Sequence, residues 1–215
     1  MHIVNGRYVT TDRWILDITK MEAGETADFT PTGTDYVMLA GASISSDKMS
    51  LNNVSAACTL TDKYTVTCSD DQQAVIVRHS GLRLLEQNAT IVNPDEMGNL
   101  SYISGGTSTV AIPPSRDGDP VINYMLFPAG HDQAAHIHPS HRIGFCLRGK
   151  GRTALEDGTS VHLKKGEVFF MERMLLHHFV TDDEDCVLFV FAPDSEGGPT
   201  DEYNPLKIRT YLQRT

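Results

Sequence analysis

The chain has 215 residues, with 18 Lys and Arg against 28 Asp and Glu, a formal net charge of −10. An acidic surface repels phosphate backbones and anionic bilayers, so the balance speaks against nucleic acid or a membrane surface as a partner. With 40% hydrophobic and 21% charged residues there is apolar material for a folded core, and the length fits one large β domain or two small ones.

The first residues, Met1-His2-Ile3-Val4-Asn5-Gly6, carry no basic cap ahead of an apolar run. The longest apolar run, Cys186 to Ala192, falls far short of the roughly 20 residues that span a bilayer. A soluble, cytoplasmic protein is the expectation. Short runs rich in β-branched and aromatic residues follow one another between Gly, Pro, Asn and Asp: Tyr36 to Leu39, Tyr64 to Cys68, Ala74 to Arg78, Val121 to Phe127, Ile143 to Arg148, Val168 to Met171 and Cys186 to Phe191. This pattern predicts an all-β sandwich or barrel with little helix. The stretch Ser104 to Pro120, with Gly105-Gly106 and Pro113-Pro114, reads as turns or a linker, and places a domain boundary between segments 1–105 and 106–215. From Pro193 onward, Gly197-Gly198-Pro199 and Asn204-Pro205 predict an irregular strap over the surface. The four cysteines, Cys58, Cys68, Cys146 and Cys186, show no C-x-x-C spacing and read as buried thiols.

Histidine carries the chemistry. Seven of nine histidines fall between His131 and His178. In His136-Ile137-His138 the imidazoles stand at i and i+2, which on a strand puts both on one face. Gly130 precedes His136 by five intervening residues, and Gly149 closes the run Ile143 to Arg148. A second segment runs Gly166-Glu167, then Val168 to Met171, then His177-His178-Phe179.

These spacings resemble the cupin superfamily, whose first motif is Gly, five residues, His-x-His, three or four residues, Glu, six residues, Gly, and whose second is a Gly-Asp-like turn followed by a His. The resemblance covers roughly Asn123 to Phe191. It implies a cupin double-stranded β-helix, a jelly-roll-like barrel, with a metal at its mouth. One position departs from the motif: six residues back from Gly149, where the family has Glu, stands Arg142. A guanidinium stays protonated and offers a metal no lone pair. The implied ligands are therefore His136, His138 and His177, with His141 considered as a fourth. Fe(II) is the favoured metal, with Zn(II), Ni(II), Mn(II) or Cu(II) as alternatives, and three ligands leave positions open for water, substrate or dioxygen. Without the Glu, the metal keeps its full charge and favours an anionic or enolisable ligand, which Arg142 would help to hold. His141 is the candidate general base, since an ordinary imidazole titrates near neutrality.

Parity extends the reading. With Arg142 facing the pocket, Gly144 and Cys146 face it too, Gly144 leaving room for a ligand, while Ile143, Phe145 and Leu147 face away. Phe179, Met125 and Phe127 supply either an apolar pocket wall or ordinary core. His178 is expected at the surface or an interface, and His2, His79, His131 and His162 in solvent. In the first half, Asp35 to Gly41 resembles a cupin strand and Tyr64 to Arg78 a second motif without ligands. That implies a bicupin with a metal site in the C-terminal barrel alone; the alternative is one barrel with extra N-terminal strands. The function this implies is a three-histidine non-haem iron oxygenase acting on a small anionic or enolisable substrate. The alternatives are a Lewis-acid isomerase or lyase, and a non-catalytic protein that binds a metal or small ligand. A homodimer follows from the resemblance and from sheet edges that need covering.

Overall fold

A computed structural model describes residues 1–10, 14–84, 87–116 and 118–195. The proposed strap from Pro193 lies almost wholly outside the described residues. The first half builds β1 (His2–Val4), β2 (Arg7–Thr10), β3 (Leu16–Met21), β4 (Thr26–Phe29), β5 (Thr34–Ala40), β6 (Ser43–Ser46), β7 (Ser50–Leu51), β8 (Ala56–Leu60), β9 (Tyr64–Thr67), β10 (Gln73–His79), β11 (Ala89–Ile91) and β12 (Leu100–Ser101). The second builds β13 (Thr107–Ile112), β14 (Val121–Phe127), β15 (Arg142–Leu155), β16 (Ser160–Lys164), β17 (Val168–Met171), β18 (His177–Val180) and β19 (Cys186–Ala192). A 3-10 turn at Ile103–Gly105 is the one helical element among the described residues, and no helix among them is long and apolar enough to cross a membrane. The stretch read as turns or a linker therefore holds a strand, β13, whose small polar residues pair with β14.

The strands form three antiparallel sheets. One follows the order β1-β17-β15-β19-β14-β13-β12, with β16 and β18 also paired to β15; the second is β11-β8-β5-β10-β3-β2; the third is β4-β9-β6-β7. Thus the N-terminal strand joins the sheet of the second half, antiparallel to β17.

Alternation along each strand divides the apolar residues among three clusters. One lies within the first half and holds Met21, Leu39, Ile44, Leu60 and Val66. Another gathers Met125, Phe127, Cys146, Phe169 and Phe179 of the second half. The largest joins the halves, packing Leu16, Ile18, Tyr36 and Val77 against Ile122, Ile143, Phe145 and Phe189. As parity requires, Ile143, Phe145 and Leu147 enter the shared cluster and Cys146 enters the other. All four cysteines are free and buried. A buried ion pair anchors β5 to β10: Arg78 Nε and Nη2 donate to Asp35 Oδ1 and Oδ2 at 2.7 and 2.8 Å, and the Tyr64 hydroxyl donates to Oδ2 at 2.8 Å.

Strand β15 positions the site. Its first part pairs with β17 and β19, and its last part with β16 and β18. The change of partners falls at Gly149, where φ is +75° and a Cβ would stand 1.7 Å from the Asp185 carbonyl oxygen, so only glycine fits this corner. Around the corner, Arg148, Lys150 and Arg152 meet the acidic run, pairing with Asp185, with Asp183 and Glu184, and with Asp182.

Candidate metal centre

The two histidine segments are locked together through their backbones. His136 N donates to His177 O at 2.9 Å, His177 N returns the bond to His136 O at 3.0 Å, and Met174 N donates to His138 O at 2.7 Å. His136 is an isolated bridge residue and His138 lies in the loop that follows, so the pair is carried by an irregular segment rather than by the regular strand its spacing predicts. The imidazoles still converge. His136, His138 and His177 form the one group of three potential metal ligands among the described residues, with their ligand atoms all within 4.8 Å of one another. His136 Nε2 and His138 Nε2 are 3.2 Å apart, and two nitrogens each about 2.1 Å from one ion stand about 3 to 3.4 Å apart.

The outer nitrogens fix the orientation of two of the rings. Nδ1 of His136 donates to Ala134 O at 2.9 Å, and Nδ1 of His177 donates to Leu175 O at 2.8 Å. With the proton on Nδ1, the Nε2 lone pair of each faces the group, an arrangement common among metal-binding histidines. Burial, then the Arg142 guanidinium and the other two rings, push His138 down to about 3. Burial likewise lowers His177 to about 4, opposed by its bond to Leu175 and aided by His136, Arg142 and His178. Both rings are therefore neutral, with lone pairs to offer, at any physiological pH.

The group opens onto a cavity of about 50 Å³ walled by Phe127, Phe169, Phe179, Met125 and Leu188, with Tyr102, Gln133 and Thr153 as uncharged residues that carry a polar group. Arg142 and His138 stand at a junction, lining this cavity and also an outer one of about 310 Å³ that includes Ser108, Asn123 and Asp194. Polarity thus rises from the floor to the mouth. Arg142 Nη1 is held by the carbonyls of Ser140 and His141 at 3.1 and 3.0 Å, and by the Ser140 hydroxyl.

Residues 123–192 match the cupin domain family. No curated protein sequence matches the chain. Among solved structures, it is similar to the cupin 2 conserved barrel domain protein from Leptotrichia buccalis (16% identity, 89% of each chain covered, TM-score 0.61). It is also similar to AerE from Microcystis aeruginosa (13%, 88% and 92%, TM-score 0.59). A further neighbour is a Trp-to-Tyr variant of the salicylate 1,2-dioxygenase from Pseudoaminobacter salicylatoxidans in complex with gentisate (12%, 84% and 68%, TM-score 0.56). The fold is that of the cupins.

Within this cupin fold, Arg142 faces the three histidines and His141 does not. The His141 ring is buried against Trp14 and Phe170, with centroids 5.6 and 4.9 Å away, and its Nδ1 accepts the Arg173 N–H at 3.2 Å. It lines neither cavity. Gly144 does face the interior, but the room it leaves is filled: the Phe169 ring lies over it, 2.0 Å from where a Cβ would be. His131 is buried, 4% exposed, contrary to the expectation of solvent. Its backbone is bonded to Thr181 and Pro128, which brings the ring onto Phe127. His2 and His79 are half-buried, His162 is exposed, and half-buried His178 bonds Asp132 at 2.8 Å. Gln133 escaped the sequence reading. The only signal was its place in the spacer between Gly130 and His136.

Proposed function

We propose that this cupin is a metal-dependent enzyme, a three-histidine non-haem iron oxygenase that acts on a small anionic or enolisable organic substrate. The observation that carries the reading is the convergence of His136, His138 and His177 beside a small apolar cavity, with a cation, Arg142, facing them. The donor set fits a divalent ion: three neutral nitrogens at chelating separation, two with their outer N–H groups bonded to carbonyls. His136, His138 and His177 would hold it. Bound iron supplies a Lewis-acidic, one-electron centre able to polarise an enolisable oxygen and to use dioxygen.

The chain's own residues do the rest. None of the three donors is anionic and Arg142 adds a further positive charge, so the site attracts a negatively charged ligand and disfavours a neutral one. Arg142 orients a carboxylate at the junction of the cavities. Phe127, Phe169 and Phe179 keep bulk water from the reacting end. His141 acts as a positioning residue, since its carbonyl holds Arg142 Nη1. The likeness to a dioxygenase of the same fold supports this class of chemistry.

The wider reading is a bicupin divided at 1–105 and 106–215, metal-bound only in its second half. Separate hydrophobic clusters in the two halves support it. We also propose a cytoplasmic homodimer, supported by exposed Ile91, Leu100 and Val110 at or beside the open edges formed by β11 and β12.

Metal analysis of protein purified without chelators, beside His136→Ala and His177→Ala, tests the proposal. Stoichiometric iron, lost in both variants and accompanied by substrate-dependent oxygen uptake, supports it. Zinc at full occupancy with no oxygen uptake moves the assignment to Lewis-acid isomerase or lyase chemistry. Failure to bind any metal after reconstitution refutes the site.

A further inference from the structure

One polar atom of the cavity lining, Gln133 Nε2, is left without a partner among the described residues. Gln133 is 4% exposed and lines the cavity beside His136, His177 and Thr153. Its backbone N–H donates to Phe179 O at 3.0 Å, and its side-chain Oε1 accepts the Phe179 N–H at 3.3 Å. A backbone N–H can only donate, so the amide oxygen must face β18, and this fixes which way the side chain is flipped. The other end, Nε2, is buried and has no hydrogen-bond partner among the described residues. A buried unpaired donor is costly, and a binding site is where such a cost is recovered, when a ligand supplies the missing acceptor.

From this geometry we infer that Gln133 binds substrate: its Nε2 donates to a second oxygen acceptor of a small carboxylic acid whose carboxylate lies on Arg142. The substrate class is an oxo- or hydroxy-acid in keto or enolate form, rather than a plain fatty or aromatic acid. The inference rests on the reading that this cavity takes a small anion. Size agrees with it. The inner cavity is small, about 50 Å³, against about 310 Å³ for the outer one. The oxygen-bearing end enters beside Gln133 and the histidines, the carboxylate stops at Arg142, and any remaining body occupies the outer cavity. A site that offers a fixed donor discriminates strongly against an analogue that lacks the acceptor, because the donor is then left buried and unpaired.

The test compares pyruvate, which has a keto oxygen, with acetate, which has none. Both are titrated calorimetrically into iron-loaded wild type, Gln133→Glu and Gln133→Met. Glu keeps the oxygen that accepts the Phe179 N–H but offers no donor to the ligand, while Met removes the donor without adding charge. Any preference of the metal itself for the oxo-acid is common to the three proteins and cancels. The expected result is that the pyruvate-to-acetate affinity ratio falls about tenfold in both variants, the worth of one buried hydrogen bond, with iron content unchanged. A ratio that either folded variant leaves intact overturns the inference, as does a wild type that binds neither acid. The two proposals fail separately: protein that holds no iron yet keeps Gln133-dependent selectivity for pyruvate refutes the oxygenase and leaves this site standing.

Discussion

Gly144→Ala tests how the cavity is built. Gly144 pairs directly with Phe169 across β15 and β17, and the Phe169 ring lies over it as part of the cavity wall. A Cβ at Gly144 would stand 2.0 Å from Phe169 Cε1 and 2.2 Å from Cζ. To regain van der Waals contact the ring must retreat by about 1.5 Å or more. The sheet blocks it behind, so it must move into the cavity or leave its rotamer. Overpacking of this kind costs about 1–3 kcal/mol, which for a chain of this size lowers Tm by about 2–12 °C. Urea unfolding gives the stability, and calorimetric titration of a small acid gives the cavity. Both should suffer in Gly144→Ala, and Gly144→Ala with Phe169→Leu should recover part of each, a coupling visible in a double-mutant cycle. Iron content should not change, because neither residue is a ligand. Wild-type stability and ligand affinity in the single variant would show that the ring does not wall the cavity.

Three further predictions concern charge. Arg142→Leu should weaken binding of a small carboxylate by about 10- to 100-fold, the worth of a charge-assisted hydrogen bond, while iron content is retained; loss of the iron would show that Arg142 serves the metal site and not the ligand. Arg78→Leu strands the fully buried Asp35 carboxylate and should cost about 3–5 kcal/mol in urea unfolding, whereas a loss under 1 kcal/mol would refute that pairing. Metal-free protein should lose stability between pH 7 and 5. His138 and His177 titrate near 3 and 4 when folded but near 6.5 when unfolded. The unfolded chain therefore takes up protons first, and stability is complete above about 6.5 and falls as pH drops toward those folded values. His177→Gln should flatten that slope in urea unfolding at successive pH values, and an unchanged slope would refute the assignment.

What the sequence disclosed and what it hid divide along physical lines. Runs such as Val121 to Phe127 and Cys186 to Phe191 are legible because nearly every position, Asn123 excepted, is apolar or β-prone and most are buried; both are strands as predicted. β3 is hidden because Asp17 and Lys20 interrupt it, although Leu16 and Ile18 alternate into the core. β13 is hidden because Thr107-Ser108-Thr109 looks like loop, and becomes a strand only through its pairing with β14. At the site, the three histidines are legible because chelation imposes a spacing. Gln133 and the filling of Gly144 by Phe169 are cross-strand facts, and no local pattern records them. The burial of His131 is of the same kind, set by Thr181 fifty positions away.

The bent strand β15 has a consequence for how such a site can change. Its first residue supplies the guanidinium, its middle carries Gly144 beneath the Phe169 ring and Cys146 in the cluster that backs the cavity wall, and past the corner at Gly149 it pairs with the strand that carries His177. Anion holder and metal ligand are thus tied through one bent strand, Arg142 as its first residue and His177 on β18, which pairs with its far end. The spacing of Arg142 and His177 is therefore set by the strand pairing of β15, and selectivity can change by replacing side chains along β15 and β18 while that pairing stays as it is.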